Sequence, residues 1–425
     1  MALSKYFLIL ALVLGFCCGC SCNKTQELAE LDKPDTEYAS GEQGTAFALR
    51  MFQAANKQGE NLFFSPYSIS TALSMVYGGA RGNTAEQMAK ALSFARPAEN
   101  QHEAMRSLQQ ALNDLQDRGN AELTVANAIF GARKYEDYVL PEFQTLMRKS
   151  YASELYSLDF GDARGSADFI NRWVERKTKE RIKNLVNAGH IEGSNHGMVL
   201  VNAIYFKGNW LTQFDPNLTR EDKFYTSSRS RSASDSRPVM MMHARGDYRY
   251  AELPGLQVLE LPYEEEELSM LVLLPDDIDA LAKDLTPANL SAWQRKLGMS
   301  QVKVFMPKFK LDISLEGIVE ILKGMGMQDA FNSNTADFSG IRDEEKVPGL
   351  FIMDIVHKAF VEVNEEGTEA AAATGVVMST KAAAGPTPQI PVFRADKPFI
   401  YMILHKPSNT LLFLGKLNQP PQIQD

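Results

Sequence analysis

The sequence holds few side chains whose types and spacing could support catalysis or bind a metal ion. Its six histidines are scattered along the chain, as His102, His190, His196, His243, His357 and His405. His102-Glu103 begins like the zinc-protease motif His-Glu-x-x-His, but Arg106 stands where the second histidine ligand belongs. Ser194 lies among glycines, but not at the middle position of a nucleophile elbow. All four cysteines fall within the first 22 residues, so the remainder offers no thiolate. The sequence therefore predicts no enzyme, no bound metal and no cofactor.

The stretch Val363–Ala384 places a long run of small residues directly after a strand. The alternating residues 356–363 predict that strand. As a helix, Ala370–Ala373 has high propensity, but so short a helix is marginal in water and lacks a strong cap. As a strand, the segment presents one face made mostly of small or β-branched residues: Thr368, Ala370, Ala372, Thr374, Val376 and Met378. The segment can therefore be an exposed loop that also fits into a packed sheet, with Glu369 on the face left in water.

The beginning of this stretch resembles a known motif. It reads Glu365-Glu366-Gly367-Thr368-Glu369-Ala370-Ala371-Ala372-Ala373. This is similar to the hinge Glu-x-Gly-Thr-Glu-Ala-Ala-x-Ala that introduces the reactive-centre loop of the serpins, the serine protease inhibitor family. Further resemblance lies in Asn83–Met88, in Val199–Trp210 and in the last strands up to Lys416. The resemblance extends over residues 42–420.

The elements that would position this hinge are mixed helices and strands. Pro66 opens a helix rich in small residues, and Val199–Lys207 is a nearly continuous apolar strand that suggests burial on both faces. Strands and helices do not alternate regularly, so the predicted class is α+β. The resemblance implies the serpin fold, with three β-sheets, about nine helices and an exposed reactive-centre loop at about 367–395.

The resemblance also implies a mechanism, which is inhibition of serine endopeptidases by a conformational trap. A protease attacks the loop as a suicide substrate and forms its acyl-enzyme, and the freed strand then inserts into the main sheet. The residues Thr368–Lys381 would span roughly 46 Å in extended form, which carries the protease to the opposite pole. Strain stored in the native fold drives this step.

The family's usual spacing identifies a bait bond. Counting fourteen positions after Gly367 reaches Lys381, which is followed by Ala382. Lys381 is the only basic residue between Gly367 and Arg394. A lysine at this position suits a protease with an acidic primary pocket, so trypsin-like serine proteases are the predicted partners, held in a covalent complex.

The loop departs from the family in one respect that leaves other baits open. Residues 382–396 form a segment several residues longer than in familiar members. Bonds after Val377, Met378 or Thr380 are therefore alternatives for elastase-, chymotrypsin- or subtilisin-like enzymes, and cysteine proteases extend the predicted range.

Two groups of residues match the parts of the serpin fold that let the main sheet open. The resemblance implies a shutter beneath the sheet, made by Ser65, Asn202 and His357. It also implies a breach, where insertion begins, made by Trp210, Lys308 and Glu365. An ion pair between Lys308 and Glu365 is expected there.

The N-terminus predicts export. Lys5 precedes the apolar run Tyr6–Phe16, which is too short to span a membrane and is typical of a secretory signal. Gly19-Cys20 is the preferred lipidation junction of a bacterial lipoprotein, Cys17 is the weaker one, and simple secretion is the alternative. The expected division is a lipoprotein signal peptide at 1–19, a flexible tether at 20–41 and the serpin domain at 42–420. The expected location is the outer membrane, or the cell surface or extracellular space, and a lipid anchor to the bacterial membrane is the expected attachment.

The overall charge and the cysteine distribution restrict the remaining partners. A net charge of −9 argues against nucleic-acid binding. Because the folded part lacks cysteine, its stability has to come from the hydrophobic core, although the protein is exported. A monomer is expected.

Two rival functions remain open. The first is a serpin-fold binding protein that does not inhibit proteases, against which the small residues of the hinge argue. The second is an adhesin that displays Arg245-Gly246-Asp247, a tripeptide otherwise expected to form a turn between strands.

Overall fold

The fold is described here from a computed structural model. It covers residues 36–94, 98–118, 121–153, 155–193, 197–227, 231–264, 266–343, 345–347, 349–368 and 389–421. Within these ranges, no helix combines the length and the apolar character needed to cross a membrane.

Nine α-helices lie within the described ranges. They are α1 (Thr36–Ala55), α2 (Pro66–Tyr77), α3 (Gly82–Leu92), α4 (Ala98–Asp117), α5 (Pro141–Tyr151), α6 (Ala163–Lys177), α7 (Ile278–Asp284), α8 (Pro287–Gln294) and α9 (Ile318–Gly324).

The strands of the described ranges are distributed along the whole chain. They are β1 (Leu62–Phe64), β2 (Ala121–Ala132), β3 (Leu155–Leu158), β4 (Gly197–Asn209), β5 (Arg220–Tyr225), β6 (Ser236–Leu253), β7 (Leu256–Pro262), β8 (Leu268–Pro275), β9 (Gly298–Pro307), β10 (Phe309–Ser314), β11 (Phe351–Val363), β12 (Gly367–Thr368), β13 (Val392–Arg394), β14 (Phe399–His405) and β15 (Thr410–Leu417).

These strands form two hydrogen-bonded sheets in the described part of the chain. The six-stranded sheet has the order β10-β11-β12-β4-β2-β3. The nine-stranded sheet has the order β1-β15-β14-β8-β7-β6-β9-β13, with β5 paired to β6. Three sheets were expected from the resemblance, whereas the described strands form two. Strand β6 is 18 residues long and pairs with β5, β7 and β9, so it joins two of the expected sheets into one. The predicted α+β class is confirmed.

The first described helix begins earlier than the sequence suggested. Helix α1 starts at Thr36, which is six residues inside the segment expected to be a tether. Gly41 is buried, and a Cβ added to it would lie 1.9 Å from the carbonyl oxygen of Ser408. The helix therefore packs closely against the end of the chain, and this contact favours helical structure in residues that lack an apolar pattern of their own.

Helix α2 lies beneath the six-stranded sheet and brings polar groups to it. Ser65 is the N-cap, and its side chain accepts a hydrogen bond of 3.1 Å from the Ser68 N–H. Pro66 occupies the first turn, where its missing N–H costs nothing. All of its residues from Pro66 to Tyr77 are buried, and many are small, so the helix can approach the sheet closely.

The six-stranded sheet has a hydrophobic cluster on each face, and strands β4 and β11 contribute to both. Alternate residues such as Leu200 and Ile204 enter the main core, whereas Val201 and Tyr205 enter a second cluster with helix α6. This arrangement explains the nearly continuous apolar sequence of β4. Strands β4 and β11 run parallel from the pair Gly197/Phe351 to the pair Tyr205/Phe360.

Candidate functional site

The centre of the six-stranded sheet contains a polar cluster that is closed to solvent. His357 of β11 lies directly opposite Asn202 of β4, and both are fully buried. His357 Nε2 accepts a hydrogen bond of 3.1 Å from the Ser65 N–H, so its Nδ1 carries the proton and donates to Asn202 Oδ1. Ser65 Oγ in turn donates to the carbonyl oxygen of Leu412 at 2.6 Å. The structure thus brings together the three residues assigned to the shutter.

Two residues that the sequence reasoning missed complete this cluster. The amide of Asn202 donates to Ser68 Oγ and to Asn127 Oδ1, and Ser68 Oγ contacts Asn127 Oδ1 at 3.2 Å. Asn127 lies opposite Asn202 on the neighbouring strand β2. The available signal was the single amide in the otherwise apolar stretch Val125–Phe130. The cluster joins three adjacent strands to α2 with its main hydrogen-bonding groups satisfied.

Burial controls the protonation of the cluster. Burial lowers the pKa of His357 to about 3, because a charged imidazole would lose its hydration there. The histidine is therefore neutral in the folded protein at all ordinary pH values. Its neutral form is also the one that can both accept from Ser65 and donate to Asn202.

This lowered pKa predicts a pH-dependent stability. Below about pH 6.5 the unfolded histidine binds a proton that the folded protein cannot bind, so stability falls as pH falls towards 3. The slope is about 1.4 kcal/mol per pH unit, or about 2 kcal/mol between pH 7.5 and 5. Urea unfolding at both pH values should show a loss in His357→Gln that is smaller than the wild-type loss by about this amount. Burial also lowers the pKa of His102, to about 4, which adds a loss common to both proteins. Equal losses in the two proteins would contradict the assignment.

A second group of residues surrounds the point where the chain leaves β11. Trp210 is buried and stacks on Tyr263 with a centroid distance of 4.7 Å. Its Nε1–H donates to the carbonyl oxygen of Asn364 at 3.0 Å, and its backbone N–H donates to that of Glu366 at 2.8 Å. Trp210 therefore holds the turn between β11 and β12 through both its ring and its backbone.

The ion pair expected at this end of the sheet is present. Lys308 Nζ lies 2.8 Å from Glu365 Oε2, and the glutamate side chain is only 10% exposed. Burial alone would raise the pKa of Glu365, but hydrogen bonding, chiefly from Lys308, outweighs it and lowers the pKa below its ordinary value. Glu365 is thus charged at neutral pH and fixes the start of the turn to β9–β10.

Strand β12 lies as a short wedge between β11 and β4. Gly367 and Thr368 pair with Asn209 and Gly208 of β4, and Thr368 also pairs with Val363 of β11. A Cβ at Gly367 would lie 2.0 Å from the Gly208 carbonyl oxygen, so only glycine fits this approach. The Thr368 hydroxyl is buried and contacts the Tyr263 hydroxyl at 2.8 Å. Below the wedge, β4 and β11 pair directly with each other.

Other sequence assignments have different outcomes. The remaining hinge residues, the bait positions and the lipidation site lie outside the described residues: Glu369, Ala370, Ala371, Ala372, Ala373, Val377, Met378, Thr380, Lys381, Ala382 and Cys20. Arg245-Gly246-Asp247 was expected in a turn and instead lies inside β6, paired with Lys303, Val302 and Gln301 of β9. A tripeptide held flat in a sheet is not displayed at a loop tip, which argues against an adhesive role. Among the described residues, no group of three or more His, Cys, Asp or Glu side chains is arranged to hold a metal ion.

Comparison with known proteins identifies the family of this chain. The model of the family described as Serpin (serine protease inhibitor) matches residues 42–420. The chain belongs to the serpin family. Human serpin B8 is 40% identical over 383 residues, which cover 88% of this chain and 97% of that protein. Human leukocyte elastase inhibitor is 40% identical over 392 residues, which cover 88% of this chain and 98% of that protein.

Solved structures agree with the fold of this serpin. The crystal structure of Serpin48 from the insect Tenebrio molitor superposes with a TM-score of 0.78 at 29% identity. The match covers 92% of this chain and 100% of that one. The family is one of protease inhibitors, which supports serine protease inhibition in general. The relatives named here are animal proteins and lend no support to the bacterial lipoprotein assignment.

Proposed function

We propose that this serpin inhibits trypsin-like serine proteases by inserting its cleaved reactive-centre loop between β4 and β11. The observation that carries this proposal is the wedge formed by β12. Thr368 pairs with both β4 and β11, whereas below Thr368 these two strands pair with each other. Insertion therefore requires no new opening at the top of the sheet, only a continuing separation of two parallel strands.

The register of the wedge supports Lys381 as the bait residue. Thr368 pairs with Gly208, and β4 and β11 remain paired down to Gly197 and Phe351. If the loop continues antiparallel, residue 379 meets Gly197 and residue 380 meets Phe351; the difference of one reflects the irregularity between Ile352 and Asp354. Lys381 would then be the first residue beyond the paired length. A protease joined to it would be released at the far end of the sheet.

The same register gives the polar cluster a role in the inserted state. Thr374 would lie between Asn202 and His357, on the face that the two buried side chains share. Separating the strands breaks the hydrogen bond between Asn202 and His357, and a threonine hydroxyl can both donate and accept in its place. Insertion would therefore not leave these two buried groups without partners, which lowers its cost.

The choice of target rests on the bait side chain. A lysine places a cation in the primary pocket, and an acidic pocket of the trypsin type compensates that charge. Elastase-, chymotrypsin- or subtilisin-like enzymes and cysteine proteases would use Val377, Met378 or Thr380 instead. Such bonds lie within the length that inserts, so cleavage there shortens the strand pulled into the sheet and favours release of the protease.

The decisive experiment is incubation of excess inhibitor with trypsin, followed by a denaturing gel and mass spectrometry. We expect a band of the summed mass that resists SDS and a released peptide that begins at Ala382. Lys381→Arg should keep both, whereas Lys381→Glu should lose both because trypsin does not accept an acidic side chain. Cleavage after Lys381 with fully active trypsin and no such band would instead favour the non-inhibitory serpin-fold binding protein.

We also propose that the mature chain is an exported monomer anchored by lipid at Cys20, at the outer membrane or cell surface. The charged Lys5, the short apolar run behind it and the junction Gly19-Cys20 support this location. Expressed in a bacterium, the protein should partition into detergent, whereas Cys20→Ser should remain in the aqueous phase. Equal partitioning of both proteins would contradict a lipid anchor at Cys20.

A further inference from the structure

One face of the nine-stranded sheet combines cations and exposed apolar side chains beside the end of the reactive-centre loop. We call it the β6–β9–β13 face. Residues of three neighbouring strands lie in register on it, and all of them are exposed to solvent. They are Arg245, Asp247, Met299, Gln301, Lys303 and Val392.

Two cations of this face lie next to each other. Arg245 lies directly opposite Lys303, an arrangement of like charges that destabilises a sheet. Arg245 Nη2 donates to Gln301 Oε1 at 2.8 Å, a neutral partner. Within the described residues, neither Arg245 nor Lys303 forms an ion pair. Arg249 differs, since it lies 2.7 Å from Glu260. The fold thus keeps an unfavourable pair of cations at one place on its surface.

Apolar side chains flank these cations. Met299 is 68% exposed and Val392 is 45% exposed. Val392 lies directly beside Lys303, and Met299 lies on the same strand as Lys303, two alternate positions away. Exposed methionine next to arginine is typical of protein interfaces, whose cores are enriched in both residues.

The face lies within reach of a protease bound at the bait bond. Lys303 donates its backbone N–H to the Pro391 carbonyl oxygen at 3.0 Å, which fixes the end of the loop to β9. Val392 follows Lys381 by eleven positions, so the Cα atoms of the two residues lie at most about 40 Å apart. A protease of about 220 residues has a radius of gyration near 17 Å and is therefore roughly 40 Å across. Its body can reach the face while its active site holds the bait.

We propose that the β6–β9–β13 face is an exosite that binds an acidic surface patch of the target protease; this inference rests on the proposed inhibitory function. Attraction between Arg245, Lys303 and that patch accelerates the encounter, while Met299 and Val392 pack against the protease. A polyanion such as a sulfated polysaccharide fits less well, because the exposed apolar side chains of Met299 and Val392 contribute nothing to its binding.

The test compares two proteases that share a specificity but differ in charge, the anionic and cationic isoforms of pancreatic trypsin. We expect Lys303→Glu to lower the second-order rate constant of inhibition of anionic trypsin about tenfold at low salt. The rate for cationic trypsin should stay level or rise, and the effect should shrink as salt screens it. Arg245→Gln should give a smaller change in the same direction. The control Lys149→Glu makes the same charge change on the exposed surface of α5.

The outcomes separate the exosite from the inhibitory function. Equal effects of Lys303→Glu and Lys149→Glu would mean that the rate depends only on the net charge of the inhibitor, and this would overturn the proposal. Unchanged rates with SDS-stable complexes would overturn the exosite and leave the inhibitor intact, whereas no complex with either trypsin would contradict the proposed function itself. Loss of dextran-sulfate binding in Lys303→Glu, with unchanged rates, would assign the face to a polyanion. The thermal midpoint of Lys303→Glu should not fall, because the variant removes a repulsion.

Discussion

Replacing Ala372 by Arg is expected to convert the inhibitor into a substrate. In the register of the wedge, residue 372 would insert between Ile204 and Ala359, and both of these are fully buried in the main core. An arginine there would bring an unpaired charge into an apolar site, which costs several kcal/mol. Insertion would slow, and the acyl-enzyme would hydrolyse before the protease is displaced. The number of inhibitor molecules consumed per trypsin should rise from near one to more than about ten.

Glu369 provides the matched control for this variant. It falls on the opposite face of the inserted strand, beside Lys207 and Glu362, which are only partly buried. Glu369→Arg should therefore leave the stoichiometry within about twofold of the wild type. Titration of trypsin with each variant gives the stoichiometry, and the gel shows whether cleaved protein replaces the complex. Equal effects of the two substitutions would mean that the loop does not insert in this register.

Local sequence patterns were sufficient for the parts of the site that depend on a single strand or turn. The alternation in residues 356–363 predicted β11, and the apolar run Val199–Lys207 predicted a strand buried on both faces. The first prediction follows from the period of two along a strand, and the second from the continuous apolar run of a strand that is buried on both faces. The requirement for glycine at position 367 could be recognised only by resemblance, because it arises from the close approach of Gly208, a residue remote in sequence.

The parts that the sequence did not reveal depend on long-range packing. Asn127 and Ser68 take their roles from strand register and from the position of α2, neither of which is encoded in neighbouring residues. The start of α1 at Thr36 depends on a contact with Ser408 at the other end of the chain. Arg245-Gly246-Asp247 contains a glycine that suggests a turn, yet pairing with β9 holds it extended. In each case tertiary contacts override local preference.

Replacing Asn202 by Ala is expected to loosen the sheet before any protease arrives. The substitution removes the acceptor of the His357 Nδ1–H and the donor that holds Ser68 and Asn127. A buried imidazole N–H without a partner costs about 1–3 kcal/mol, and with the lost bonds the native state should lose about 3 kcal/mol. The thermal midpoint should fall by roughly 4 °C for a body of this size.

The same substitution should have a kinetic consequence that ordinary destabilisation lacks. The polar cluster bonds β4 to β11 at the midpoint of the path that the loop must follow. Loss of these bonds therefore lowers the barrier to separating the two strands. Uncleaved Asn202→Ala should then lose inhibitory activity over hours at 37 °C, because the sheet accepts either its own loop or the loop of another molecule. Native gels distinguish the two cases, since the first gives a monomer and the second gives oligomers. Asn209→Ala, on the same strand but bonded to the exposed Glu264 at 3.1 Å, should keep its activity. If both variants lose activity equally, the cluster only stabilises the core and does not control the separation of β4 and β11.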